Sequence, residues 1–389
     1  MKIESIEIHN YKALRDVKVN NIGGFAVFLG GNGAGKSTLF DVFRFLQESL
    51  ASGIAQPVQM RGGLEKLRTY GCNENIAMEL IFSLNDSESY SYQLAFGEDE
   101  NREVCIVYES LKDKNSDKFI FSRKKDSQVV FTDDEFGLGL SVPPNFAIAK
   151  KDALALSIMG QLQNQNEAIA IRDFLAQIFL FTFENERDVL SLNFKKGDKL
   201  QADGSNLPSL AYDFIQNHPD KFKRIIDRMK HEIAGLKDVS VALEGGVRIK
   251  LAFHDGSFQD SFNLLQISDG TLKLFALLIL LENPDPPPLI IIEEPEKDIY
   301  QHSLAILAEF FAIYCVKTGK QAFVSTHSSD FISSLEPTEV FMLKKGKQSY
   351  TNVFEIGKSI LINNFVNSGE HLDSLWRDGS FELENGDNN

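Results

Sequence analysis

The chain has 389 residues, 43% of them hydrophobic, and a formal net charge of −15. That composition supports a sizeable core and excludes wholesale disorder. It also excludes a protein that coats nucleic acid with its whole surface, so any such contact must come from a local patch or a partner. Cys72, Cys105 and Cys315 form no C-x-x-C pair, which argues against a zinc ribbon or a disulfide framework. Reduced thiols in a cytoplasmic protein are the expectation.

In chain order, Met1 to Ile8 alternates apolar and charged residues as a half-buried strand does, and not as a leader does. Phe25 to Leu29 reads as a buried strand, followed by a glycine-rich loop and a helix from Ser37 to about Leu50. Residues 76–83, 90–96 and 103–110 read as antiparallel strands with polar turns. The stretch 151–183 reads as helix, and Glu186 to Ser205 as a polar link between two lobes. A mostly helical pattern runs from Leu207 to about Leu236 with a break at Pro219, and strands follow at 238–243 and 247–253. No heptad repeat is sustained long enough for a coiled-coil arm. The longest apolar stretch before the tail, Leu272 to Leu281, is interrupted by Lys273 and too short to span a bilayer, so no membrane partner is expected. The expected division is an N-terminal lobe over 1–185, a C-terminal lobe over 186–350 and a tail over 351–389. The last stretch of that tail, 366–389, is polar and acidic, with a disordered end and Trp376 as its one large anchor.

Four motifs carry chemistry. Gly30-Gly31-Asn32-Gly33-Ala34-Gly35-Lys36-Ser37 fits the phosphate-loop pattern G-x-x-x-x-G-K-[ST], with a strand leading in and a helix leading out. Its glycines let several N–H groups point at one anion, and the helix N-terminus adds positive potential. Asn32, Gly33 and Gly35 shape the cradle. Lys36 bridges the β- and γ-phosphates, Ser37 ligates Mg²⁺, and Thr38 lies near the α-phosphate. Leu289 to Ile292 followed by Glu293-Glu294-Pro295-Glu296 is a buried parallel strand ending in acids. Glu293 is placed to hold Mg²⁺ through water, and Glu294 to position the attacking water. Ile267-Ser268-Asp269-Gly270-Thr271 opens a helix that Ser268 or Asp269 can cap. Val324-Ser325-Thr326-His327 ends another apolar strand. A histidine there, largely neutral at pH 7 if unperturbed, can both donate and accept a hydrogen bond.

Together these motifs resemble the ABC/SMC/RecF ATPase superfamily, in particular its short arm-less AAA-annotated branch. Ile3 to Lys12 matches the opening pattern of that branch, and Ala202 to Leu207 is similar to its middle stretch. The resemblance covers about residues 1–345. It implies an α/β P-loop head of two lobes, with a mixed sheet flanked by helices, an antiparallel β subdomain and no arm. It implies an Mg²⁺-dependent ATPase in which two copies sandwich ATP. Lys36 and Ser37 serve phosphate and Mg²⁺, and Ser268 and Gly270 form the signature that reaches the nucleotide of the other copy. Glu294 is catalytic and His327 is the switch. Relatives of this kind include the ATPases of OLD-like, Septu-like and PARIS-like anti-phage systems, which implies a separate nuclease-like effector chain and a possible DNA contact. Lys297 to Gln301 departs from the family pattern at the dimer seam, and the glutamine loop has only Gln161 and Gln163 as candidates. The competing readings are an ABC transporter subunit and a stand-alone phosphotransferase. Three basic clusters stand out: Arg123-Lys124-Lys125, then Lys221, Lys223, Arg224, Arg228 and Lys230, then Lys344, Lys345 and Lys347. A solvated surface is their favoured reading.

Overall fold

The computed structural model describes all residues except 86, 125–127, 131–144, 163–164, 183–198, 258–260, 265, 347 and 384–389. Most of the expected link over 186–205 and the last residues of the tail lie outside the described residues, as do Gln163, Lys125 and Lys347. The chain forms two compact units. One comprises Met1–Ile178, Glu336–Ser368 and the residues from Phe381 onward; the other comprises Phe179–Leu335 and Gly369–Ser380.

The first unit opens with β1 (Lys2–Tyr11), β2 (Leu14–Val19) and β3 (Phe25–Leu29), and every residue of β3 is buried. Helix α1 (Lys36–Ser52) follows, then the short α2 (Ala55–Met60) and α3 (Leu64–Leu67). The antiparallel region is β4 (Ile76–Asn85), β5 (Glu88–Glu98), β6 (Val104–Asp113), β7 (Phe119–Lys124), β8 (Gln128–Val130) and β9 (Asn145–Ala147). With β1 and β2 these strands make one eight-stranded sheet in the order β2-β1-β4-β5-β6-β7-β8-β9. Its strands alternate buried and exposed positions, so one face of the sheet packs on core. The helix expected over 151–183 is instead α4 (Ala155–Met159) and α5 (Asn166–Ala176), separated after Gly160 and followed by strand.

The second unit begins with that strand, β10 (Phe179–Phe181). Helices α6 (Leu207–Asn217) and α7 (Pro219–Glu232) meet at His218, because Pro219 lacks an N–H and starts a helix more readily than it continues one. Then come β11 (Leu236–Glu244), β12 (Arg248–Asp255), β13 (Phe262–Asn263), α8 (Asp269–Leu281), β14 (Leu289–Glu293), α9 (His302–Thr318), β15 (Gln321–Thr326) and α10 (Ser329–Ile332). Strands β10, β14 and β15 are parallel neighbours. Both β14 and β15 are buried nearly throughout, the polar Gln321, Ser325 and Thr326 of β15 included, as strands covered on both faces by the helices of α/β units are.

The chain then returns to the first unit. There β16 (Val340–Lys345) pairs parallel with β3, and β17 (Thr351–Glu355) pairs antiparallel with β16, making a mixed sheet. Helix α11 (Ile360–Asn367) ends that return. Helix α12 (Leu372–Arg377) belongs to the second unit. It docks through buried Leu372 and Leu375 and through Arg377, which donates from Nε to Ser329 Oγ at 2.9 Å and pairs with Asp330 at 2.5 Å. Trp376 is only half-buried, so the tail's anchors are these residues beside it. Motif order alone suggests lobes over 1–185 and 186–350; the compact units instead assign 340–355 to the first, through pairing with β3. Among the described residues no helix exceeds the 17 residues of α1 and α9, and none forms a long arm.

One polar cluster fixes the start of α1. Asp41 accepts hydrogen bonds from Tyr11 Oη (2.7 Å), Lys12 Nζ (2.6 Å) and Arg61 Nη2 (2.7 Å), and Arg61 also pairs with Glu48 at 2.5 Å. Burial alone raises the Asp41 carboxyl; the bonds from Arg61, Lys12 and Tyr11 overcome it and hold the group at about 2. Its folded value lies below the unfolded one, so its contribution is present above about pH 4 and fades as pH falls through 2. Asp41→Ala is therefore expected to cost about 3 kcal/mol at pH 7, read from the denaturant midpoint, and distinctly less near pH 2. An equal loss at both pH values would contradict this assignment.

Candidate active site

The phosphate loop sits in the first unit. Gly33 and Gly35 adopt φ of 76° and 107°, a region that side chains strongly disfavour. Gly35 also lies against Thr351 of β17, where a Cβ would collide with the threonine hydroxyl. That hydroxyl donates to the Ala34 carbonyl at 2.8 Å, so β17 holds the loop from behind. Gly31, Asn32, Gly33 and Ser37 are exposed, and Thr38 is half-buried. Lys36 is 4% exposed and donates to the carbonyls of Gly30 (2.7 Å) and Gly31 (3.2 Å). No side chain caps the start of α1. A left-handed loop, an uncapped helix N-terminus and a lysine curled over the loop fit the requirements of a bound phosphate.

The second unit carries the acids, the signature and the histidine. Ser268 caps α8: its Oγ accepts from the Thr271 N–H at 3.2 Å, and the two hydroxyls lie 2.8 Å apart. Ser268 itself is exposed. Gly270 has no room for a Cβ, because the Asp298 carbonyl oxygen occupies that position. Two residues past the Thr271 position, Lys273 is 4% exposed, and its Nζ donates to the carbonyls of Lys297 (2.9 Å) and Glu294 (3.2 Å). Burial pushes this ammonium down to about 8 against the pull of the surrounding acids. The signature helix and the acidic loop are thus bolted together by a glycine contact and a buried lysine.

Glu293 ends β14 in register with Ser325 of β15. Glu294 leaves the strand with φ 45° and donates its N–H to the Ser325 carbonyl at 2.9 Å. Asp298, at φ 69°, is the second strained position of this loop. Glu296 organises the segment after β15. Its Oε1 accepts from Thr326 Oγ1 and from the His327 N–H, both at 2.8 Å, and lies 3.1 Å from His327 Nδ1. Its Oε2 is buried and, among the described residues, has no hydrogen-bond partner. Glu294 Oε1 stands 3.9 Å from the same ring nitrogen. The Glu294 and His327 side chains are 39% and 52% exposed, against 7% for Glu296.

Ser268, Gly270, Glu293, Glu294 and His327 therefore share one unit, and Asn32, Gly33, Gly35, Lys36, Ser37 and Thr38 share the other. Sequence reasoning missed Glu296, Lys273 and Thr351. The signals for the first two were the third acid of E-E-P-E and a lone cation inside an apolar run; Thr351 gave none. Gln161 is exposed and bonds its amide to the Ser157 carbonyl at 3.0 Å. In the segment that departs from the family pattern, Ile299 is buried and Tyr300 is 76% exposed.

A phosphate loop between a buried strand and a helix, with a parallel strand ending in acids and a serine-capped helix, defines a P-loop ATPase head of the ABC/SMC type. The chain belongs to the family described as "AAA domain, putative AbiEii toxin, Type IV TA system", whose model matches residues 25–333. It is similar to an "ATP/GTP phosphatase" of Helicobacter pylori, with 22% identity over 156 residues. That match covers 37% of this chain and 41% of the relative, so the two share about two fifths of the relative's length. Among solved structures, an SMC head bound to the C-winged helix domain of ScpA aligns with a TM-score of 0.55 and 12% identity, over 91% of this chain and 97% of that one. The SMC head domain from Thermotoga maritima aligns with a TM-score of 0.46 and 13% identity over 91% and 98%.

Proposed function

We propose that this chain is an ATP-binding and ATP-hydrolysing switch, in which two copies close on two nucleotides, each held by the phosphate loop of one copy and the signature of the other. The observation that carries the reading is the exposed Ser268 at the start of a helix locked to the catalytic loop. Gly270 against the Asp298 carbonyl and Lys273 on the Glu294 and Lys297 carbonyls make signature and acids move as one piece. A stand-alone phosphotransferase has no use for that coupling.

In this reading Lys36 exchanges its bonds to the Gly30 and Gly31 carbonyls for the β- and γ-phosphates. Asn32, Gly33, Gly35 and Thr38 complete the cradle. Ser37 directly and Glu293 through water would hold Mg²⁺, and the ion would supply neutralisation of the phosphate charge. Glu294 orients a water and accepts its proton as the oxygen attacks the γ-phosphorus, and the leaving ADP oxygen departs in line. His327, steadied by Glu296, donates a hydrogen bond to the γ-phosphate and reports its presence. The state of the dimer controls a separate nuclease-like effector or DNA, in bacterial anti-phage defence or DNA maintenance and in the cytoplasm. Support for this wider role is of three kinds. The family's description names a toxin of a toxin–antitoxin system. The SMC head with a similar fold carries a bound partner domain. Among the described residues no helix is long and apolar enough to cross a membrane.

Ser268→Arg tests the composite site. It leaves the phosphate loop intact, so ATP affinity should stay within a few-fold, while turnover falls by about 100-fold or more. Unchanged turnover would return the chain to the phosphotransferase reading.

A further inference from the structure

On α7, Lys221, Arg224 and Arg228 are spaced by three and four residues and share one face. That face meets the C-terminal ends of α8 and α9 in the same unit, where a cavity of about 430 Å³ opens. Lys221, Arg224, Arg228, Lys317, Glu282 and Phe310 line it, with further apolar side chains beneath. Four cations thus face one carboxylate, in a chain whose net charge is −15. Arg224 and Arg228 share that carboxylate at 2.8 and 3.0 Å, and Arg228 also stacks over the Phe310 ring, 4.5 Å from its centre. Among the described residues, Lys221 and Lys317 make no ion pair.

Helix dipoles account for only part of this. Lys317 sits in the last turn of α9, where a cation is favoured. Lys221 sits in the first turn of α7, where the helix end is itself positive and a cation is disfavoured. Burial and the neighbouring Arg224 press its ammonium further towards the neutral form, against the pull of Glu282. A cation kept at an unfavourable place, beside a second unpaired cation, marks a site that an anion completes. The apolar side of the cavity adds a surface for a ring.

We propose that this cavity binds a small phosphate ester of nucleotide size, with its phosphate between Lys221 and Lys317 and its ring on the Phe310 side. A nucleic-acid strand fits less well, because it needs a row of cations following the backbone and these converge on one concave spot. The site is not the nucleotide site proposed above. It lies at the far end of α8 from Ser268, and the thirteen residues of that helix span about 20 Å. A ligand there bears on the signature through one straight helix, which suits a regulator rather than a substrate.

Titration calorimetry of the intact chain and of Lys221→Gln/Lys317→Gln, with AMP, inorganic phosphate and a short single-stranded DNA, tests this. Neither lysine side chain makes a hydrogen bond or ion pair among the described residues, so the double variant should fold. AMP is expected to bind the parent with a sub-millimolar Kd, more tightly than phosphate alone, and the variant about ten-fold or more weakly. Equal AMP affinity in the two proteins would place AMP at the phosphate loop and overturn the proposal. So would no AMP binding up to about 10 mM, or a preference for DNA with steep salt dependence. The result does not depend on whether two copies close on ATP, which Ser268→Arg tests separately.

Discussion

Glu294→Gln is expected to lower ATP turnover by about 10²–10³-fold while leaving nucleotide affinity within a few-fold. The substitution keeps the size of the side chain and removes only its ability to take a proton. Glu294 is the acid held out from the strand by a strained backbone and a hydrogen bond to the Ser325 carbonyl, with its carboxylate partly exposed. Glu296 is poorly placed to take that proton, because it is buried and its Oε1 already serves Thr326 and His327. Steady-state phosphate release measures the effect. Turnover within ten-fold of the parent would mean that another group activates the water.

The second large effect concerns Gly270. Alanine at a helical position ordinarily gains about 0.8–1 kcal/mol over glycine. At Gly270 the new Cβ would overlap the Asp298 carbonyl oxygen, a backbone atom that cannot swing aside. Overpacking of this kind costs up to about 3 kcal/mol, so steric cost outweighs propensity and Gly270→Ala should lose about 2 kcal/mol net. The 294–301 loop must also shift, and turnover should fall with stability. Gly31→Ala is the control, since nothing lies within 4 Å of its added carbon. It should change stability by no more than about 0.5 kcal/mol. If both variants unfold at the parent's denaturant midpoint, α8 and the acidic loop are not packed as described.

The legible part of this protein was local. The phosphate loop, the acidic strand, the capped signature helix and the strand before His327 each announce themselves in a few consecutive residues, because the backbone conformation each needs is set by its own glycines, caps and apolar runs. The eight-stranded antiparallel sheet was also foreseen in part, from strands at 76–83, 90–96 and 103–110. What stayed hidden depends on contacts between distant residues. Val340 pairs with Val27, more than 300 positions away, and that pairing brings 340–355 back beside the phosphate loop. Thr351 therefore supports Ala34 without any motif to mark it. Arg123, grouped by sequence with surface cations, is 1% exposed and donates to the carbonyls of Lys150 and Lys151, and side-chain burial cannot be read from charge alone. Lys273 was visible as an interruption of an apolar run; its carbonyl partners were not.

In the proposed cycle, ATP closes two copies on one another. The mass of the Glu294→Gln chain in solution, measured by light scattering with and without Mg-ATP, tests it most directly, because blocked hydrolysis traps the closed form. Mass should double, or a resting assembly should compact, only with ATP, and adding Ser268→Arg should abolish the change. If ATP binds and neither mass nor shape responds, the composite site is wrong.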